Sequence, residues 1–333
     1  MTCTAANKTG KMLLSTEEEI FAKLVEAKHP FRQLNEYFDF TELAGSLAKC
    51  YSELGTTGIA IEKGFKALLV QFWEDYSDRQ MEHALRENIA VRWFCGFSLM
   101  EDTPDHSYFG KLRKRIGPSR LAEIFHKVNE AMKKKNLFGE VFTFIDASSI
   151  ITKTALWEER DHAIKAGEEK LNNAIVSNYA ADKDAKWGAK SKHNIWFGYK
   201  RHNAVDMRYG LIDKLAVTPA NVPDYKAVKH IAPKQGMVFT DKGYDYKEAD
   251  QWMRANGCVP ATLRKNNNKQ KNHDLDRWRS GVRMPFESTF SKQSKRAKYR
   301  GQTKVLFQCF AEAMVYNLKK ALTILPRLAT MET

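Results

Sequence analysis

The stretch Val141-Phe142-Thr143-Phe144-Ile145-Asp146 is a short β-prone run, apolar in all but one of its first five positions and closed by an acid. Such runs read as buried strands, and an acid ending one is unusual, because low-dielectric surroundings penalise a charge unless it is paired or bound to a cation. The pattern returns at Val238-Phe239-Thr240-Asp241. If the two strands are neighbours, both carboxylates emerge at one sheet edge and share a divalent ion. A third acid, Glu287, lies in a basic segment expected to form a helix packed alongside. Hard oxygen ligands without nearby His or Cys favour Mg2+ or Mn2+. Two such ions, roughly 3.5 to 4 Å apart, serve an in-line displacement at phosphorus.

Each acid alone has a plainer reading. Asp146, followed by Ala147-Ser148-Ser149, suits a turn former or helix cap, and Asp241 precedes a Gly243 able to take a left-handed turn. Glu287 balances Arg283 and its neighbours on a solvated helix.

Outward from the first strand, the period divides the chain. Residues 1–140 read as an all-helical domain. Thr16 and Glu19 form a capping-box pattern before Ile20, Phe21, Leu24 and Val25, and Pro30 follows the expected helix end. Further helical stripes are Phe65, Leu68, Leu69, Phe72 and Trp73, then Met81, Leu85 and Ile89, then Leu121, Ile124, Phe125, Val128 and Met132. Residues 141–325 read as an α/β domain: a strand, a polar excursion at about 155–192, a hairpin at 195–205 and 210–218, then alternating helices and strands. Leu306, Phe310, Met314 and Leu318 place a core stripe on the last helix.

Charge narrows the partner. The 333 residues carry a formal net charge of +14 and are 43% hydrophobic, enough for a large core and basic enough to attract a polyanion, with nucleic acid first. Residues 265–300 hold eleven Lys and Arg against three acids, more than half of that excess. The five cysteines are scattered and never form Cys-x-x-Cys, as expected of reduced thiols. No run approaches the ~20 apolar residues of a membrane span, and there is no signal-peptide pattern, so the expected setting is cytoplasmic, at the bacterial nucleoid. Trp187, Trp196 and Tyr199, among Lys186, Lys190, Lys192, Lys200 and Arg201, suit either base stacking or a strand core, with the core preferred for Trp196.

In order along the chain, V-F-T-F-I-D-A-S, then G-A-K-S-K-H-N-I-W-F-G-Y-K-R-H-N-A-V-D, V-F-T-D-K-G-Y-D, R-S-G-V-R-M-P-F-E-S-T-F and A-M-V-Y-N-L-K-K-A resemble the Asp-Asp-Glu transposases of bacterial insertion sequences. They look most like the insertion sequence 5 group. Y-S-D-R-Q-M-E-H-A-L-R-E-N-I-A-V-R-W-F-C-G-F and T-P-D-H-S-Y-F-G-K-L-R-K-R-I-G resemble that group's helical N-terminal region.

The resemblance implies a ribonuclease H-like mixed sheet flanked by helices, with the family's catalytic and metal-holding acids on Asp146, Asp241 and Glu287. The interval of 46 residues between the last two leaves no room for the large β insertion of some relatives. It also implies DNA as partner, both terminal inverted repeats and target, and a homodimer or higher assembly. Around its glutamate the wider group carries a Tyr, an Arg and a Lys. Arg283 fits, whereas Ser280 and Ser294 stand in the other two places, with Lys292 or Lys295 as substitutes. Arg279, Arg283, Lys200, Lys292 and Lys295, with Arg113 and Arg115 in the helical region, are the expected DNA contacts. A non-catalytic DNA-binding derivative and a host nuclease of the same fold are the alternatives.

Overall fold

In the computed structural model the described residues are 16–50, 58–152, 180–191, 194–269 and 271–330, together with Asn172, Val176 and Asn178. The chain divides into two compact units, 1–44 with 51–112, and 45–50 with 113–333.

The first unit is helical. Its helices are α1 (Glu17–Leu24), α2 (Pro30–Tyr37), α3 (Phe40–Gly45), α4 (Ile61–Trp73), α5 (Asp78–Glu87), α6 (Ile89–Phe94) and the start of α7 (His106–Lys134). Local chemistry sets their ends. Thr16 and Glu19 close a capping box on α1, Ser77 and Gln80 close another on α5, and Pro30 opens α2 instead of merely following α1. Phe31 stacks on Phe94 at 4.7 Å between ring centroids, and Phe40 meets Phe94 edge-on at 5.4 Å. Helix α7 is kinked at Gly117, whose φ of 67° no neighbouring helical residue shares. That kink precedes the helical stripe expected at Leu121–Met132. The change of period near residue 140 marks the first strand, whereas the compact units part earlier, because the second half of α7 packs within the second unit, Asn129 on the Ile212 carbonyl and Phe125 on Phe310 of the last helix.

The second unit is built on a mixed sheet of β1 (Phe142–Ile151), β2 (Lys186–Ser191), β3 (Asn194–Asp206), β4 (Leu211–Pro219), β5 (Gly236–Thr240) and β6 (Cys258–Thr262). Among the described residues the order is β2-β3-β1-β5-β6, with β4 also pairing β3. Strands β1, β3 and β4 run antiparallel, and β5 and β6 add in parallel on the other side of β1. The expected hairpin is therefore β3–β4. Strand β2 falls inside the stretch expected to be a polar excursion. The rest of that excursion, through residue 179, lies almost wholly outside the described residues. The strand was hidden by its lysines; its pairing with the first half of β3 is what fixes it, along the flank where β4 has not yet begun. Gly188 allows the fit, since a Cβ there would come within 2.6 Å of the Ala220 carbonyl oxygen.

Gly198 sits where the partner of β3 changes from β2 to β4. Its φ is +150°, and a Cβ would overlap the Ile150 carbonyl oxygen in β1. Gly198→Ala is expected to destabilise this unit by about 2–4 kcal/mol, read as a shift in the denaturant midpoint. An unchanged midpoint would show that the β1–β3 contact is not tight there.

Each face of the sheet is covered differently. Ile145 and Ala204 pack with Val228, Ile231, Tyr244, Ala249 and Met253 from the helices Val228–Ile231 and Lys247–Ala255. On the opposite face Phe144 meets Phe290, and Arg201 meets the helix Gln302–Ala329 at Glu312. This last helix buries more than the single stripe expected. Val305, Phe307, Cys309, Ala313 and Leu318 are buried, while Leu306 is only half-buried. Where the β3–β4 register slips, the backbone of Ile212 is satisfied by buried side chains: Asn317 accepts from its N–H at 2.9 Å, and Asn129 donates to its carbonyl at 3.0 Å.

Candidate active site

The two strands bearing the first acids are neighbours. In the parallel β1–β5 ladder Ile145 pairs with Thr240, so Asp146 and Asp241 are the next residues on each chain. One expectation is corrected here: Asp146 does not end its strand. β1 runs on to Ile151 past the end of β5 at Thr240, paired with β3 on one side and bridged at Ile151 to Arg296 on the other. Asp241 leaves β5 and caps the turn Lys242–Tyr244, its Oδ1 accepting from the Gly243 N–H at 2.8 Å. Its plainer role as a capping residue thus coexists with its place beside Asp146.

The electrostatics of the pair call for a cation. Burial, then repulsion from Asp241, pushes the Asp146 carboxyl up to about 7. Asp241 is raised too, by burial and by Asp224, against the opposing Gly243 hydrogen bond. Two facing carboxylates cannot both hold their charge in such a setting without a counter-charge. Lys190 and Arg283 are the cations that offset both. Hard oxygen donors on adjacent strands, short of positive charge, fit a divalent ion such as Mg2+ or Mn2+.

Glu287 comes from a separate segment. It joins the turn Met284–Phe286 to the short helix Ser288–Ser291, and is not in the body of the basic helix, which ends at Arg283. Pro285 causes the break. Its segment nevertheless lies on the Asp146 face of the sheet: Phe290 packs edge-on against Phe144 at 5.6 Å, and the Arg283 guanidinium lies 5.7 Å over the same ring. The Glu287 carboxylate is half-exposed and pairs with Arg283 at 3.5 Å. Among the described residues no three Asp, Glu, His or Cys side chains stand close enough to hold one ion together.

The expected basic contacts divide in two. Lys292 and Lys295 are exposed. Arg279 donates to the Thr262 carbonyl at 2.9 Å and pairs with Asp276 at 3.5 Å. Lys200 pairs with Asp224 at 2.8 Å and donates to the Val222 carbonyl at 2.9 Å. Arg113 lies over the Tyr299 ring at 5.0 Å, and Arg115 is exposed next to the kink of α7. Trp187, Trp196 and Tyr199 are buried, so the stacking alternative for these aromatics gives way to the core. Sequence reasoning gave no role in the site to Asp224, Tyr244 or the Arg201–Gln293 anchor: Arg201 and Tyr244 lie inside quoted family stretches and Asp224 and Gln293 in none, and only folding brings them together.

His202, buried in β3, bonds to the Thr218 hydroxyl at 2.8 Å. Burial, with Lys200 and His230 adding to it against Asp224, holds the imidazole down at about 4, against an ordinary 6.5. Its neutral form is the folded form. Stability is therefore complete above about pH 6.5 and drains away as pH falls towards 4, by about 3 kcal/mol for this group. His202→Gln should flatten that acid limb in a melting-temperature series between pH 7 and 4; an unchanged limb would assign it to other groups.

A mixed sheet in this order, with two acids emerging on adjacent strands, defines a ribonuclease H-like fold of the kind that carries metal-dependent phosphodiester chemistry. Comparison with known proteins specifies it. Residues 137–318 match the family model "Transposase DDE domain", and residues 19–115 match "Transposase domain (DUF772)". Over 227 residues the chain is 30% identical to the transposase for insertion sequence element IS1106 of Neisseria meningitidis serogroup B, covering 64% of this chain and 77% of that one. A cryo-EM structure of a piggyBac transposase synaptic complex with hairpin DNA covers 89% of this chain and 75% of its own, at 9% identity and a TM-score of 0.36. The chain belongs to the DDE transposases of bacterial insertion sequences. Between β6 and Glu287 no further strand occurs among the described residues, and no described helix is long and apolar enough to cross a membrane.

Proposed function

We propose that this transposase binds the terminal inverted repeats of its element, hydrolyses a phosphodiester at each end to expose a 3′-OH, and joins that hydroxyl to target DNA. The observation that carries this reading is the β1–β5 register, which sets Asp146 and Asp241 side by side. Asp146 and Asp241 would hold two divalent ions, Mg2+ or Mn2+, with Glu287 completing the second site. Bound there, the ions supply Lewis-acid polarisation of the phosphate and a more acidic attacking water.

The chain's own groups bind and orient the DNA. Lys190 and Arg283 face the acid pair, and a guanidinium is suited to bidentate capture of phosphate. An incoming phosphate competes with Glu287 for Arg283 and so releases the carboxylate towards the ions. Lys292 and Lys295 extend the basic track; Arg279 and Lys200, tied to Asp276 and Asp224, shape the loops beside it. Arg113 and Arg115 are placed on the element ends. Holding two ends at once calls for a homodimer or larger assembly on DNA, and the setting is the cytoplasm, at the nucleoid.

A second reading, a DNA-binding derivative that does not cut, is favoured by one observation, the pairing of the Glu287 carboxylate with Arg283 at 3.5 Å. A supercoiled plasmid carrying the element's ends separates the two. The active enzyme cuts at the ends in Mn2+, not in chelator, and its binding weakens steeply with salt. Specific binding of the ends without cutting at any Mn2+ concentration selects the derivative.

A further inference from the structure

The turn between β4 and the helix Val228–Ile231 carries an acid that no motif reading singled out. Asp224 opens a 3-10 turn, Asp224–Ala227, that faces the Asp241 turn, Lys242–Tyr244. Gly243 measures the distance between them. A Cβ built on it would lie 3.0 Å from Asp241 Oδ1 and 3.8 Å from Asp224 Oδ2, so the two oxygens are within the sum of those distances of each other. Only the missing side chain at 243 leaves the space between them clear.

Asp224 does not arrive there by chance of a solvated loop. Lys200 of β3, itself largely buried, pairs with Asp224 Oδ1 at 2.8 Å and donates to the Val222 carbonyl at 2.9 Å, fixing the turn to the sheet. Pro223, with φ −60°, stiffens its entry. This lock leaves Oδ2 on the Asp241 side.

A separate observation points into the same place. Tyr244 is fully buried in the core beneath the sheet, yet its hydroxyl has no hydrogen-bond partner among the described residues. Burial, then the carboxylates of Asp146, Asp224 and Asp241, raise that hydroxyl well above its ordinary range. An orphaned buried hydroxyl is destabilising, and that cost is offset where the hydroxyl serves a bound group.

We propose that Asp224 is a positioning carboxylate of the divalent-cation site, held by Lys200 next to Asp241, and that it raises the site's affinity for the cation without chelating it. Among the described residues no three such side chains form a set able to hold one ion, so Asp224 is given a place outside the ligand set. Outer-shell carboxylates of this kind typically change metal affinity by about 10–100-fold. The proposal rests on the reading of Asp146 and Asp241 as cation holders.

The test measures Mn2+ binding to the full chain by calorimetry, without DNA, for wild type, Asp224→Asn and Asp146→Asn. Asp224→Asn keeps the size of the side chain and an acceptor for Lys200 but removes the charge. The expected result is affinity about tenfold or more weaker than wild type, with the melting temperature of the metal-free protein little changed. Asp146→Asn should bind still more weakly. Wild-type affinity in Asp224→Asn alongside lost affinity in Asp146→Asn overturns this inference and leaves the cation site standing. Wild-type affinity in both variants overturns the cation site itself. Should Asp224→Asn fail to fold, Asp224→Glu and Asp224→Ser replace it: Glu, which retains the charge, must bind Mn2+ more tightly than Ser, and equal affinities overturn the inference.

Discussion

Asp146→Asn is expected to reduce cutting at the element's ends by roughly 10^3-fold or more, while end binding in chelator stays near wild type. A cation at this pair stabilises the transition state by several kcal/mol, and each 1.4 kcal/mol is a factor of ten in rate. The amide keeps the shape of the side chain and the acceptor that meets the Ala147 N–H at 2.7 Å, so the β1 backbone has no reason to move. It removes the charge that burial and Asp241 already disfavour, so the metal-free fold loses nothing by the change. End-labelled DNA resolved on a denaturing gel reads the cutting, and a gel shift reads the binding. Equal nicking by wild type and variant would remove Asp146 from the chemistry and with it the proposed mechanism.

Arg201→Leu carries the largest expected loss of stability, about 3–5 kcal/mol. Arg201 is fully buried in β3; its Nη1 donates to Gln293 Oε1 at 2.9 Å and its Nη2 to Glu312 Oε2, and Asn203 Nδ2 donates to the same Gln293 oxygen at 2.8 Å. Removing one member of a buried pair strands the other, here Glu312, without its counter-charge. Replacing both partners by apolar residues is much less costly, so Arg201→Leu with Glu312→Leu should recover a large part of the loss. Denaturant melts of the two single variants and the double variant complete the cycle. Additive losses would show that the pair does not act as a unit. A consequence for the site follows, because Gln293 lies just past Glu287: loosening it should impair cutting as well as stability.

Much of this molecule was legible before it folded. The run from Val141 to Asp146 and its counterpart at 238–241 announce strands by apolar β-prone composition, and the capping box at Thr16 announces a helix, because these signals are local. Strand β2 was not legible, since its pairing with the first half of β3 is non-local and its lysines mask the apolar positions. Lys200 and Arg279 read as DNA contacts by charge alone; the fold gives each an acidic partner that the sequence places 24 residues and 3 residues away.

What the sequence determined by itself is the kind of protein: a basic chain with a helical region, an α/β region with acids closing two apolar β-prone runs, and the family motifs in order. What only the tertiary structure decided is who stands beside whom. The parallel β1–β5 register joins Asp146 to Asp241 across 95 residues of chain, and the packing of Phe290 on Phe144 brings the Glu287 segment to the same face while Arg283 retains its carboxylate. The reason is physical: residue type and period follow from local interactions, but the neighbours of a charge are set by strand register and side-chain packing between distant segments, which no local pattern encodes.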